Sequence, residues 1–260
     1  MLYSNSPMAI TKHIKEKEGD MVIEINHLKK SFNGNHVLKN INLTLKKGET
    51  MVVLGKSGSG KSVLIKCIVG LIRPDAGELK VLDKPILKLK HSELDKVREK
   101  IGFLFQGNAL YDSMTVRKNL EFPLRRKIKE EGRAKIDKQV KEALTNVGLA
   151  NTIDMMPAEL SGGMRKRIGL ARCLMVNPEI MLYDEPTTGL DPITAEEISK
   201  LMVSIQKKYN SSAIIITHDM QCAKFTADRM LILIDGEIYT EGSFEELSRS
   251  GDKKIKAFFV

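Results

Sequence analysis

The sequence predicts an α/β fold built on a mostly parallel core sheet, with an antiparallel β unit at its N-terminal end and an inserted helical subdomain. Three observations carry this. Short apolar runs at Met51–Leu54, Ile180–Tyr183, Ala213–Thr217 and Met230–Asp235 alternate with helical segments, the pattern of parallel strands joined by helical crossovers. The first run leads into a glycine-rich turn, Gly55–Ser62, and then into the helix start Val63-Leu64-Ile65. Between residues 112 and 160 the strand signals stop, and Lys, Arg, Glu and Leu dominate at helical spacing.

In chain order, residues 1–20 read as a polar extension: they carry Lys12, Lys15, Glu16, Lys17 and Glu18, and lack the apolar centre of a signal peptide. Val22, Ile23 and Ile25, then Ile41, Leu43 and Leu45, suggest two strands joined through the turn signal Asn33-Gly34. Lys47-Gly48-Glu49 turns the chain into the Met51–Leu54 strand. Arg73-Pro74-Asp75-Ala76-Gly77 breaks the next helix, Glu78–Leu82 reads as a strand, a short helix begins at Ser92, and Ile101–Phe105 reads as a buried strand. Ile136, Val140, Leu144 and Val147 share one helix face that stops near Gly148. The helical subdomain is expected over about 112–175, inside a domain of 21–245, followed by a tail of 246–260.

Composition narrows the function classes. No stretch approaches the roughly 20 apolar residues that span a bilayer, so the chain is expected to be a soluble protein that stays where it is made. Three cysteines, Cys67, Cys173 and Cys222, lie too far apart for a metal motif or a disulfide framework, which suits a reducing compartment. The net charge of +9 points to nucleic acid or an anionic membrane surface. The basic residues do not form one tract with interleaved aromatics and tryptophan is absent, so no nucleic-acid partner is expected.

Gly55-Lys56-Ser57-Gly58-Ser59-Gly60-Lys61-Ser62 has the phosphate-binding spacing GxxxxGK[ST]. Glycines permit positive φ, so successive N–H groups can line one concavity, and the helix that follows adds the positive end of its dipole. Lys61 can reach the β- and γ-phosphates of a nucleoside triphosphate, and the Ser62 hydroxyl can ligate magnesium. Ile180–Tyr183 ends in Asp184-Glu185, which puts two carboxylates at the C-terminal edge of a buried strand, where open α/β sheets bind ligands. Asp184 would hold Mg2+ directly or through water. Glu185 would polarise a water beside the γ-phosphate.

Leu160-Ser161-Gly162-Gly163-Met164, taken with Gln106, Asp191 and His218, resembles the ATP-binding-cassette (ABC) ATPases, and the resemblance runs from Met21 to about Gly242. It implies a P-loop NTPase fold of ABC type, with Mg2+ and ATP as cofactor and substrate. Phe32 matches the aromatic position that stacks on adenine. The loop Gly55, Lys56, Ser57, Gly58, Ser59, Gly60, Lys61, Ser62 and Val63 matches the ATP-binding turn. Gln106 matches the glutamine that reaches magnesium and the reacting water, and residues 107–115 would face a transmembrane partner. His218 matches the switch histidine that contacts the γ-phosphate, and Asp191 the loop that crosses the dimer interface. Ser161, Gly162, Gly163 and Met164 match the signature that contacts ATP held by the other subunit. A Ser-Gly-Gly at a helix start suits that task, because it exposes N–H groups without side-chain obstruction. Met164 departs from the usual glutamine; a thioether accepts hydrogen bonds only weakly, which weakens a ribose contact there.

The resemblance further implies a homodimer with two ATPs sandwiched between head-to-tail subunits, docked on separate integral-membrane permease chains at the cytoplasmic face of a bacterial inner membrane. A finer resemblance points to the phospholipid-trafficking ATPases associated with mammalian-cell-entry (MCE) domain proteins. It rests on Ala109-Leu110-Tyr111-Asp112-Ser113-Met114-Thr115-Val116, Asn119, Phe122-Pro123-Leu124-Arg125, Met164, Asp191-Pro192-Ile193-Thr194 and Val63 after Ser62. An MCE-type lipid-binding partner follows from it. The alternatives are another transporter ATPase, or a non-transport regulator of the cell-division type. A chromosome-associated ATPase would need a long insertion, and only about 100 residues separate Ser62 from Ser161.

Overall fold

The computed structural model describes residues 21–107, 110–125 and 132–259. The expected polar extension of 1–20 and Ala109 lie outside that range.

Strands β1 (Met21–Phe32) and β2 (Asn35–Lys46) form an antiparallel hairpin. Asn33 and Gly34 take φ of 48° and 81°, the left-handed pair that a two-residue hairpin turn requires. Strand β4 (Ala76–Val81) pairs antiparallel with β1, and β5 (Lys84–Pro85) closes a four-stranded sheet of order β2-β1-β4-β5. The expected strand through Leu82 stops one residue earlier, because Leu82 and Asp83 turn at positive φ into β5.

The second sheet has six strands in the order β10-β9-β3-β8-β7-β6. They are β3 (Thr50–Leu54), β6 (Ile101–Leu104), β7 (Ile180–Asp184), β8 (Ser212–Ile216), β9 (Arg229–Ile234) and β10 (Glu237–Gly242). All neighbours are parallel except the β9–β10 edge. Helices α1 (Lys61–Ile68) and α2 (His91–Arg98) follow β3 and β5. Between β6 and β7 the described residues carry α3 (Val116–Glu121), α4 (Arg133–Asn146) and α5 (Gly162–Leu174), and no strand. Helices α6 (Pro192–Tyr209) and α7 (Met220–Thr226) complete the crossovers, and α8 (Phe244–Ser248) and α9 (Lys253–Lys256) end the chain.

The central strands are buried on both faces, and their residues alternate between two cores. Met51, Val53, Ile180, Leu182, Ile214, Ile216, Leu231 and Leu233 face the core shared with the antiparallel sheet, α1 and α2. Val52, Leu54, Met181, Tyr183, Ala213, Ile215, Met230 and Ile232 face the core shared with α3 to α6. Phe258 and Phe259 pack against the second core, and Phe259 meets Phe244 edge-on at 5.5 Å between ring centroids.

Parallel register fixes what stands at the sheet edge. Val53 is level with Ile216, Asp184 with Ile216, and Leu104 with Tyr183. The residues that leave β3, β6, β7 and β8 are therefore Gly55, Phe105-Gln106, Glu185 and Thr217-His218, all at one end of the sheet. No helix among the described residues is long and apolar enough to cross a membrane.

Candidate functional site

The glycine-rich turn is shaped by a close approach. Gly60 caps α1 at φ 104°, and a Cβ there would lie 2.8 Å from the Val37 carbonyl of β2. Only glycine satisfies both the conformation and the space. The turn then presents Lys61, which is buried and donates from Nζ to the carbonyls of Gly55 (2.7 Å) and Lys56 (3.1 Å). Burial lowers the Lys61 pKa, while the charges of Glu185 and Asp184 work against that drop.

Asp184 ends β7 at 5 % exposure, and the Ser62 hydroxyl donates to its Oδ1 at 3.1 Å. Burial pushes the Asp184 carboxyl above its ordinary range; the Ser62 hydrogen bond, Lys66 and Lys61 pull it back, and Glu185 adds to the rise. A buried carboxylate with only a hydroxyl beside it is an incomplete set of hard oxygen donors, as suits Mg2+ shared with substrate phosphates. No group of three or more His, Cys, Asp or Glu among the described residues could hold a metal without such help.

Glu185 follows at φ 52°, with its N–H donating to the Ile216 carbonyl at 2.8 Å. Its Oε2 lies 2.9 Å from His218 Nδ1 and accepts from Thr188 Oγ1 at 3.1 Å. An ionised carboxylate can only accept, so Nδ1 carries the proton in this contact and Nε2 stays free. The carboxylate is 12 % exposed and the imidazole 69 %, so the histidine forms the outer wall. Thr187 Oγ1 donates to Asp219 Oδ2 at 2.8 Å, which ties the turn after Glu185 to the start of α7.

One cavity of about 680 Å³ is lined by Gly55, Lys56, Ser57, Gly58, Gly60, Lys61, Ser62, Val63, Gln106, Glu185, His218 and Val37. Gln106 is exposed two residues beyond β6 rather than directly at its end, since the pairing with β7 stops at Leu104. Phe32 is 41 % exposed at the end of β1, has Lys30 Nζ 5.0 Å from its ring centroid, and does not line the cavity.

The structure keeps the remaining motif residues away from that cavity. Ser161 caps α5 by accepting from Met164 N–H at 3.2 Å, with Ser161 and Gly162 exposed and Met164 packed towards the core. Asp191 caps α6, accepting from Thr194 N–H at 3.1 Å, and these contacts lower its pKa. None of Ser161, Gly162, Gly163, Met164 or Asp191 lines the cavity.

Sequence reasoning passed over Val37, Thr188 and Lys166. Val37 reaches the site only through the fold of the antiparallel sheet over the turn, which no local spacing signals. Thr188 stood three residues beyond Glu185, and that spacing was a signal available. Lys166, in α5, is 3 % exposed and reaches the carbonyls of Gln106 (3.0 Å) and Glu185 (3.3 Å).

A parallel sheet with a phosphate-type turn and two acidic residues at one edge defines a nucleotide-binding α/β protein of the P-loop class. The ABC transporter family profile matches residues 38–188, and the chain belongs to that family. It is 38 % identical over 236 residues to the "Probable ribonucleotide transport ATP-binding protein mkl" of Mycobacterium bovis, covering 91 % of this chain and 66 % of that protein. It is 41 % identical over 228 residues to the methionine import ATP-binding protein MetN of Helicobacter pylori, covering 87 % of this chain and 69 % of that one. The ATP-binding cassette MJ0796, in a dimeric post-hydrolysis state bound to ADP and Pi, superposes with a TM-score of 0.78 at 33 % identity, over 85 % of this chain and 98 % of that one. The cbiO1 subunit of the Clostridium perfringens transporter complex cbiONQ gives 0.80 at 31 % identity, over 88 % and 90 %. The chain thus spans 66 % of the length of the mycobacterial relative.

Proposed function

We propose that this chain binds and hydrolyses ATP as the cassette subunit of an ABC transporter, and that it powers phospholipid trafficking through a separate permease and an MCE-type partner. The observation that carries the ATPase reading is the convergence of Lys61, Ser62, Asp184, Glu185, Gln106 and His218 at one sheet edge, with His218 2.9 Å from Glu185 and Ser62 3.1 Å from Asp184.

In this reading the N–H groups of the glycine-rich turn and the Lys61 ammonium hold the phosphates, which releases Lys61 from the Gly55 and Lys56 carbonyls. Ser62 and Asp184, with the Gln106 side chain, would hold Mg2+, which when bound neutralises charge on the phosphate oxygens. Glu185 accepts a proton from the attacking water as that oxygen bonds to the γ-phosphorus, and the bond to the ADP oxygen breaks. His218 and Thr188, both in contact with Oε2, keep the carboxylate aimed. Ser161, Gly162 and Gly163 serve the nucleotide of the partner subunit, in keeping with their position outside their own cavity. The MJ0796 cassette, dimeric with ADP and Pi bound, supports a dimeric assembly.

The lipid reading rests on the resemblance around Leu110–Arg125 and at Met164. A second reading, import of a small solute, is favoured by the 41 % identity to a methionine import protein. Both are tested by extracting tagged E185Q gently from its host membrane with ATP present and identifying what co-purifies by mass spectrometry. A multispanning permease with an MCE-domain protein and bound phospholipid supports the lipid reading. A permease with a solute-binding protein and no lipid replaces it. In either case E185Q should lose turnover by about 10²–10⁴-fold while still binding ATP.

A further inference from the structure

Lys166 belongs to no motif that the proposed chemistry uses, yet it is among the most buried charged side chains described, at 3 % exposure. A buried ammonium normally faces a carboxylate; this one faces backbone oxygens, donating to Gln106 at 3.0 Å and Glu185 at 3.3 Å. Burial lowers its pKa, and the charges of Glu185 and Asp184 act the other way. An apolar side chain of similar length would fill the space without that desolvation cost.

Its contacts are specific in what they join. Lys166 stands on α5, three residues beyond Gly163, so it moves with the signature segment. One carbonyl it holds belongs to Gln106, which lines the nucleotide cavity. The other belongs to Glu185, a residue held at φ 52°, where non-glycine residues are uncommon. The Glu185 peptide is thereby gripped on both sides, by Lys166 at its carbonyl and by Ile216 at its N–H.

We propose that Lys166 is a positioning residue that couples the two ATP sites of a dimer, by tying each subunit's signature helix to the Gln106 and Glu185 backbone of that subunit's own site. The signature helix senses the nucleotide held by the partner. Its displacement on closure then reaches Glu185 through one side chain. This inference rests on the proposed roles of Glu185 and of the signature in a head-to-tail dimer.

The test compares full-length wild type, K166M, K166Q and E185Q in ATP-titrated hydrolysis, with ATP occlusion measured on the K166M/E185Q double variant. K166M keeps most of the length of the side chain and removes its donors. It should lower kcat at least tenfold with KM within twofold, and bring a Hill coefficient above 1 down to 1. K166M/E185Q should still occlude two ATPs per dimer, a readout that general loss of structure would reduce. K166Q keeps a shorter donor that reaches one carbonyl, and should fall between K166M and wild type; it alone decides the matter if K166M does not fold. Wild-type-like turnover and Hill coefficient in K166M, or in K166Q where K166M does not fold, overturn the inference, as does a wild-type Hill coefficient of 1. An inactive E185Q beside such a K166M overturns the coupling alone, whereas full turnover by E185Q overturns the proposed mechanism and the coupling together.

Discussion

The buried Asp184 carboxylate accepts a hydrogen bond from the Ser62 hydroxyl, and it is ionised at a cost to the folded state. Its native pKa lies above the ordinary value of 3.8, so over the interval between them the native state holds more protons than the unfolded chain. Stability therefore falls as pH rises through that window, and the whole penalty is present above it. D184N removes the penalty. In buffer free of nucleotide and magnesium we expect it to stabilise the protein by about 1 kcal/mol, seen as a higher thermal midpoint. The same variant should lose the dependence of ATP affinity on magnesium, read by titration with and without EDTA. Chelation should stop hydrolysis by the unmodified protein. Lys61 and Ser62 open the helix after β3, and Asp184 and Glu185 stand at the end of β7, so all four were legible in the sequence from local spacing. Val37 and Lys166 were not, because their positions depend on the sheet and helix packed over the site.

At the scale of elements, α5 and α6 stand in close contact where the signature begins. A Cβ at Gly163 would lie 2.7 Å from Thr194 Cγ2, so the glycine sets the separation of two helix starts. Alanine ordinarily stabilises a helix interior, but here it must push the helices apart, at a net cost of about 1 kcal/mol. G163A should lower the denaturant midpoint, and T194S, which removes the obstructing methyl, should restore most of it. A double-mutant cycle by urea unfolding measures the coupling. The central strands were readable as apolar runs, and their bounds shifted by only a residue or so. The last strand and the two terminal helices were not read. Glu237–Gly242 alternates in exposure on an edge, and α8 and α9 are too short to show a helical period.

At the scale of the whole molecule, Ser161 and Gly162 are exposed while the cavity that holds Glu185 is lined without them. A single subunit thus presents its signature outward, towards a second copy in the proposed arrangement. S161R should leave ATP binding to the monomer within a few-fold of normal and abolish ATP-induced dimers of E185Q, as read by light scattering. Dimers that persist in S161R would place the contact elsewhere. The antiparallel sheet, the parallel sheet and the helical insertion were all foreseeable from periodicity; the way that one sheet separates two cores was not, since alternation within an all-apolar strand carries no sign of which face is which.

That septum has a consequence for how the protein comes apart. Strands β3, β7 and β8 have neighbours on both sides and side chains sealed in both cores, so their amides should be the last to exchange with deuterium. The edge strands β6 and β10, and the β4–β5 turn, should exchange first. Partial openings that free the outer layers would then leave the roots of the phosphate turn and of Asp184-Glu185 in register, and these parts of the site would be among the last to lose their shape, after Gln106 on the β6 edge.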